Sequence, residues 1–190
     1  MSDVQQRIPE IFWGEVTPCE HLVQIYESDD AFLDTLEGFT AAGLRAGEGV
    51  IVIATASHLD AIGSRLAANG IDVDRARESD QLITVDAEEL ISRLVFRGWP
   101  DDYLFKQNVT QLIARARGDG RKVRAFGEMV AILWARGQNG ATVRLEHLWN
   151  GIMESEAFSL FCAYPRSGFT QDANTSIREI CAMHSRVVAA

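Results

Sequence analysis

The sequence predicts an α/β fold of three layers, a mainly parallel sheet covered by helices on both faces. Three observations lead there. Short β-branched and aromatic runs alternate with longer stretches of helical spacing, the pattern of repeated βαβ units. The runs are continuously apolar, Val50-Ile51-Val52-Ile53-Ala54 above all, which suits strands buried on both faces. A chain of 190 residues, 47% of them hydrophobic, can bury one sizeable core, so a single domain over residues 21–190 is expected behind an amino-terminal arm, residues 1–20.

The arm mixes Pro, Gln, Glu and Trp without period. A first strand is expected over Leu22–Tyr26, followed by a helix capped by Ser28, with Asp29 and Asp30 complementing the positive first turn. Phe32, Leu36 and Phe39 share one face of that helix, which ends near Gly43. The run Val50–Thr55 is a second strand, and a helix follows from Ser57 to Asn69-Gly70. A short turn leads to the third strand, Leu82–Val85. The helix after it, Ala87–Phe96, is broken by Gly98-Trp99-Pro100-Asp101. Another helix spans Asp101–Arg117 and stops at Gly118-Asp119-Gly120. The fourth strand is Val123–Phe126. Helices at Glu128–Arg136 and Ala141–Ser155 follow, split by Gly137-Gln138-Asn139-Gly140. A fifth strand, Ser159–Tyr164, and a last helix, Asp172–Val187, complete the series.

Charge narrows the partners. The net charge is −9, lysine occurs only at Lys106 and Lys122, and the arginines are scattered. Direct nucleic-acid binding, which draws on clustered cations, is therefore not expected. No run approaches the roughly 20 apolar residues that span a bilayer, and the start lacks a basic, then apolar, signal segment, so a cytoplasmic protein is expected. Cys19, Cys162 and Cys181 form no CxxC pair and read as free thiols.

In an open parallel sheet, ligands bind beyond the carboxyl ends of the strands. That rule selects Tyr26 and Glu27, Thr55 and His58, Asp86, and Gly127-Glu128-Met129. A triphosphate site would need a glycine-rich loop with Lys and Ser/Thr after the first strand. The chain has Tyr26-Glu27-Ser28-Asp29-Asp30 there, whose carboxylates would repel phosphate. Glu128, followed by the apolar Met129-Val130-Ala131-Ile132-Leu133-Trp134, reads either as a ligand or acid–base group or as a first-turn acid. Glu146 reads as structural, Trp134 and Trp149 as core, and Trp99, in its Gly-Trp-Pro loop, as a lid or an interface anchor. Cys19-Glu20-His21 and Cys181-Ala182-Met183-His184 could furnish a tetrahedral zinc if the chain ends met. Neither pair has an established ligand spacing, so no metal and no cofactor is expected. No Gly-x-Ser-x-Gly elbow or Cys/His signature is present, and the protein is expected not to be an enzyme. The enzymatic alternative is a hydrolase using Glu128 with His58 or His21.

The segments His21–Glu27, Gly43–Thr55 with His58, Arg124–Met129, Leu145–Asn150 and Ser159–Pro165 together resemble the MEDS domain, the sensory domain named after the dichloromethane-responsive repressor of methylotrophs. The resemblance runs over most of the chain. It implies a RecA/KaiC-like fold with a degenerate nucleotide loop, without a Walker A motif, and a regulatory role in sensing small organic molecules beside kinases, anti-sigma regulators or repressors. The ligand-binding set expected on these grounds is His21, Tyr26, Glu27, Thr55, His58, Glu128, Met129, Glu146, Trp149 and Asn150. No output segment fits within the remaining residues, so a separate signalling protein is the expected partner. By analogy with RecA-like cores, a homodimer is expected too. The competing reading is a ligand-free interaction scaffold.

Overall fold

The apolar runs become strands of one sheet in the computed structural model, which describes Trp13, residues 16–169 and residues 173–188. Most of the expected arm lies outside the described residues. The elements are β1 (His21–Tyr26), α1 (Asp29–Arg45), β2 (Gly49–Ala54), α2 (Ala56–Ala68), α3 (Val73–Glu78), β3 (Leu82–Asp86) and α4 (Ala87–Leu94). There follow β4 (Val95–Phe96), β5 (Trp99–Pro100), α5 (Asp102–Arg117), β6 (Val123–Gly127), α6 (Met129–Ala135), α7 (Asn139–Glu156), β7 (Ser159–Pro165), α8 (Ala173–Ala182) and β8 (Arg186–Val188).

The main sheet has six strands in the order β3-β2-β6-β7-β1-β8, and every neighbouring pair is parallel. Alternate side chains of each strand enter opposite cores, which is why both faces had to be apolar. One core joins Leu22, Val52, Phe126 and Phe161 to α1, α2 and α3. The other joins Val23, Ile51, Leu160 and Cys162 to α4, α5, α6, α7 and α8. The expected three-layer, RecA/KaiC-like sandwich is what forms.

This order fixes where a ligand can sit. β2 and β6 are neighbours, yet β2 connects outward to β3 through α2 and α3, whereas β6 connects the other way to β7 through α6 and α7. The crevice between their carboxyl ends is a topological switch point.

Local chemistry explains most boundaries. Ser28 caps α1 by accepting from the Ala31 amide, and Asp86 and Asp101 cap α4 and α5 in the same way. Four expectations are corrected. The turn before the third strand contains α3, capped by Asp72. The helix from Ala87 ends at Leu94, because Arg97 (φ 52°) and Gly98 (φ 78°) form the two-residue turn of a hairpin pairing Phe96 with Trp99. α7 starts at Asn139, with Gly140 inside it. The last helix stops at Ala182, and Arg186–Val188 forms β8 instead.

Trp13 is the one residue of the arm before residue 16 that the structure describes. Its ring packs on Phe39 and Phe161, and its carbonyl accepts from Arg124, a guanidinium only 1% exposed. Arg124 also donates to Glu48 and to the Phe39 carbonyl and lies over the Phe39 ring. A buried charge persists only when paired in this manner.

Candidate functional site

The switch-point crevice is closed by one carboxylate. Glu128 follows β6, and its own N–H donates to the Ile53 carbonyl of β2. Its Oε2 accepts from the Thr55 backbone N–H (2.8 Å), and its Oε1 lies 2.8 Å from His58 Nδ1. His58 is placed by the first turn of α2 and is stacked edge-on by Phe32, which also stacks on Tyr26 and touches Phe126. Hydrogen bonding to Glu128 raises the His58 pKa above its ordinary value, with burial opposing. Burial, then Glu128 and Asp29, push the Tyr26 hydroxyl upward and keep it protonated. The result is a largely buried imidazole–carboxylate pair walled by aromatic rings, able to donate to, accept from and neutralise a small polar group.

Further along the same edge, an open cleft of about 470 Å³ has Trp134, Pro165 and Phe169 among its walls. Pro165 is the register partner of Tyr26, but Trp134 and Phe169 pack with the core on the other face of the sheet from Tyr26 and Phe32. A second cleft of about 490 Å³ lies between α2 and α3, lined by Leu59, Gly63 and Ala67 among others.

The ten residues expected to share one site do not all meet. Tyr26, Thr55, His58 and Glu128 do, and Met129 is buried directly behind them. Glu27 is exposed and faces Arg166 (3.4 Å). Trp149 is 1% exposed, edge-on to Phe105 and against Gly127, so it is core. His21, Glu146 and Asn150 belong to a second, mostly buried network on the other side of β1 and β7.

In that network His21 Nδ1 lies 2.9 Å from Asn150 Oδ1, and His21 Nε2 lies 3.3 Å from Glu146 Oε2 and 3.5 Å from Cys162 Sγ. The Tyr164 hydroxyl donates to Glu146 Oε1, and His184 Nε2 approaches the same oxygen at 3.5 Å. Burial lowers the His21 pKa to about 3, helped by His184 and opposed by Asn150, and lowers that of His184 to about 4. Burial raises Glu146 to about 7, against the Tyr164 hydrogen bond, and pushes the Cys162 thiol well up. Both imidazoles are thus neutral at neutral pH. Cys162 and Tyr164 were not among the expected site residues. Their spacing of two along one strand, which puts both on one face, was the available signal.

Fold and site together define a RecA-like α/β domain whose first strand-to-helix turn is acidic and whose carboxyl edge holds an imidazole–carboxylate pair in place of a phosphate cradle. The chain belongs to the MEDS family: the model of the methanogen/methylotroph, DcmR sensory domain matches residues 20–185. Among solved structures it is similar to the flagellar accessory protein FlaH from Methanocaldococcus jannaschii, with a TM-score of 0.57 and 11% identity over 92% of this chain and 72% of that one. At that identity the likeness shows the fold alone. No curated protein sequence matches. Among the described residues, no helix is long and apolar enough to cross a membrane.

Proposed function

We propose that this sensory domain is a non-catalytic cytoplasmic receptor for a small organic molecule held at the carboxyl edge of the sheet, and that it passes the signal to a separate regulatory protein. The observation that carries this reading is the Glu128–His58 pair at the switch point, backed by the Phe32 and Tyr26 rings. Small-molecule sites combine apolar walls with a few convergent polar groups, and this edge supplies both. An occupant that competes for Glu128 would release Thr55 and His58 from it, loosening the start of α2.

Native mass spectrometry of the purified chain, compared with its denatured mass, tests this. A retained non-covalent mass that is lost in Glu128→Ala and weakened in Tyr26→Phe is the expected result. A bare mass, with no thermal stabilisation by any of a broad set of small organic compounds, would remove the receptor reading.

One observation favours a second reading, a docking scaffold that needs no ligand. Phe96 and Trp99 on the β4–β5 hairpin and Tyr103 at the start of α5 are exposed by 52%, 54% and 72%. Exposed aromatic groups in one neighbourhood are what partner contacts use. A Trp99→Ala chain that keeps its fold but loses its cellular partner would support this reading.

A further inference from the structure

We propose that His21, Glu146, Cys162 and His184 form a buried zinc-binding site. Three observations carry it, none of them from the carboxyl-edge pair.

The donor atoms converge. One atom from each of the four residues lies within 4.8 Å of the others, and all four come from different segments: β1, α7, β7 and the turn between α8 and β8. The separations measured are 3.3 Å (His21 Nε2 to Glu146 Oε2), 3.5 Å (His21 Nε2 to Cys162 Sγ), 3.5 Å (His184 Nε2 to Glu146 Oε1) and 4.0 Å (Cys162 Sγ to Glu146 Oε2). Zinc bonds of about 2.0–2.1 Å to nitrogen and about 2.3 Å to sulfur place neighbouring donors about 3.3–3.6 Å apart on a tetrahedron. The two distances from His21 Nε2 fall on that edge length; His184 Nε2 is measured to the other carboxylate oxygen, Oε1, so a rotation of the Glu146 carboxylate completes the set and also shortens the sulfur–oxygen distance.

The outer partners orient the donors. His184 Nδ1 is 2.7 Å from the Ile180 carbonyl, which can only accept, so the ring proton sits on Nδ1 and the Nε2 lone pair is free. Asn150 Nδ2 donates to the Met183 carbonyl, leaving its Oδ1 to accept from His21 Nδ1, so His21 Nε2 is bare as well. Tyr164 holds Glu146 Oε1 by donation. A second ring nitrogen tied to a carbonyl, and a carboxylate tied to a hydroxyl, are the outer contacts that metal-ligating His and Glu have.

One donor is left over. His184 Nε2 is fully buried and has no hydrogen-bond partner, although it points into the cluster. The two ring centroids are only 3.9 Å apart, so two lone pairs face one carboxylate. A divalent cation satisfies all of them at once. Nitrogen, thiolate and a single carboxylate oxygen in a closed four-donor set select zinc over magnesium or calcium, and a site without an open position is structural. Ser185 fixes the spacing: its N–H donates to the His21 carbonyl, and its hydroxyl accepts from the His21 N–H. On binding, the Cys162 thiol proton leaves to solvent as the thiolate–metal bond forms.

Cobalt(II) titration of the chelator-treated full chain, followed by zinc displacement, tests the site. One equivalent should give the intense visible bands of tetrahedral cobalt with a thiolate charge-transfer band, and zinc should abolish both. The charge-transfer band should vanish in Cys162→Ala, one-equivalent binding should fail in His184→Gln, and Asn150→Ala should weaken affinity by about 10- to 100-fold. His184 lies in the turn between α8 and β8, outside the strands, so that variant decides if Cys162→Ala does not fold. Failure of the wild-type chain to take up either ion, or bands that persist in His184→Gln, would overturn the assignment. The cluster would then be a core network bridged by protons. The carboxyl-edge receptor stands or falls separately, since Glu128 and Tyr26 belong to neither result.

Discussion

His58 shows how one contact sets a residue's charge. Its bond to Glu128 raises its pKa above the unfolded value of 6.5. A raised folded value means the folded state binds the proton more tightly, so the pair's contribution is complete below about pH 6.5 and is lost as pH rises through the higher folded value. Replacing His58 by Gln should remove about 1–2 kcal/mol at pH 6, after allowance for partial exposure. The difference in melting temperature between the two proteins should shrink steadily towards pH 9; a constant difference would mean the imidazole acts by packing alone. Both members of this pair were legible in the sequence, because the strand-end rule needs only the strands and the first few residues after each. The second cluster was not. Glu146 is fixed by a strand tyrosine, Tyr164, and His21 by Asn150, far along the chain. The thiol that joins the histidines is Cys162 rather than Cys19 or Cys181, the nearer ones in sequence. Sequence proximity paired each imidazole with a neighbouring thiol, whereas the fold brings both imidazoles to the thiol of Cys162.

At the scale of elements, periodicity was informative and short elements were not. All five expected strands form within a residue or two, since a strand buried on both faces leaves an unbroken apolar run. β8 went unseen because its three residues, Arg186-Val187-Val188, continue a helical stretch, and only pairing with β1 makes them extended. The hairpin went unseen because Arg97 is an unusual residue at positive φ, so Gly98 read as a simple break. Contacts between elements carry two predictions. Arg124 of β6 is buried against Glu48 in the loop before β2, with α1 above it. Glu48→Ala leaves that guanidinium without its anion and should destabilise the chain by about 3 kcal/mol in urea unfolding, the low end for a broken buried pair because two carbonyls remain. At the start of β2, a β-carbon on Gly49 would lie 2.2 Å from the Ala116 carbonyl oxygen, backbone against backbone. Gly49→Ala should therefore force β2 and α5 apart and destabilise by about 1–3 kcal/mol. An equal melting temperature for the variant would contradict that packing.

Across the whole molecule, chemistry is separated by the sheet's polarity and its edges. The carboxyl ends of β2 and β6 carry the Glu128–His58 pair, while the opposite start of β1 carries the buried cluster near the terminal strand. β8 is the outermost strand, paired to β1 only over Leu22, Val23 and Gln24, whereas β1 pairs with β7 over all six of its residues. The five inner strands therefore do not need β8 in order to form. Without it, the other side of β1 becomes a free row of backbone donors and acceptors beside apolar side chains, the arrangement that invites pairing with another chain. A chain ending at Ala182 should keep the far-ultraviolet signature of the sheet and helices. It should melt at a lower temperature, because the Ser185 contacts to His21 and the burial of Val188 are gone. It should also associate in a concentration-dependent way when followed by light scattering, through the uncovered β1. A truncated chain with the light-scattering mass and melting temperature of the intact one would mean that β8 is ornamental to the sheet and that the edge is guarded by something other than this strand.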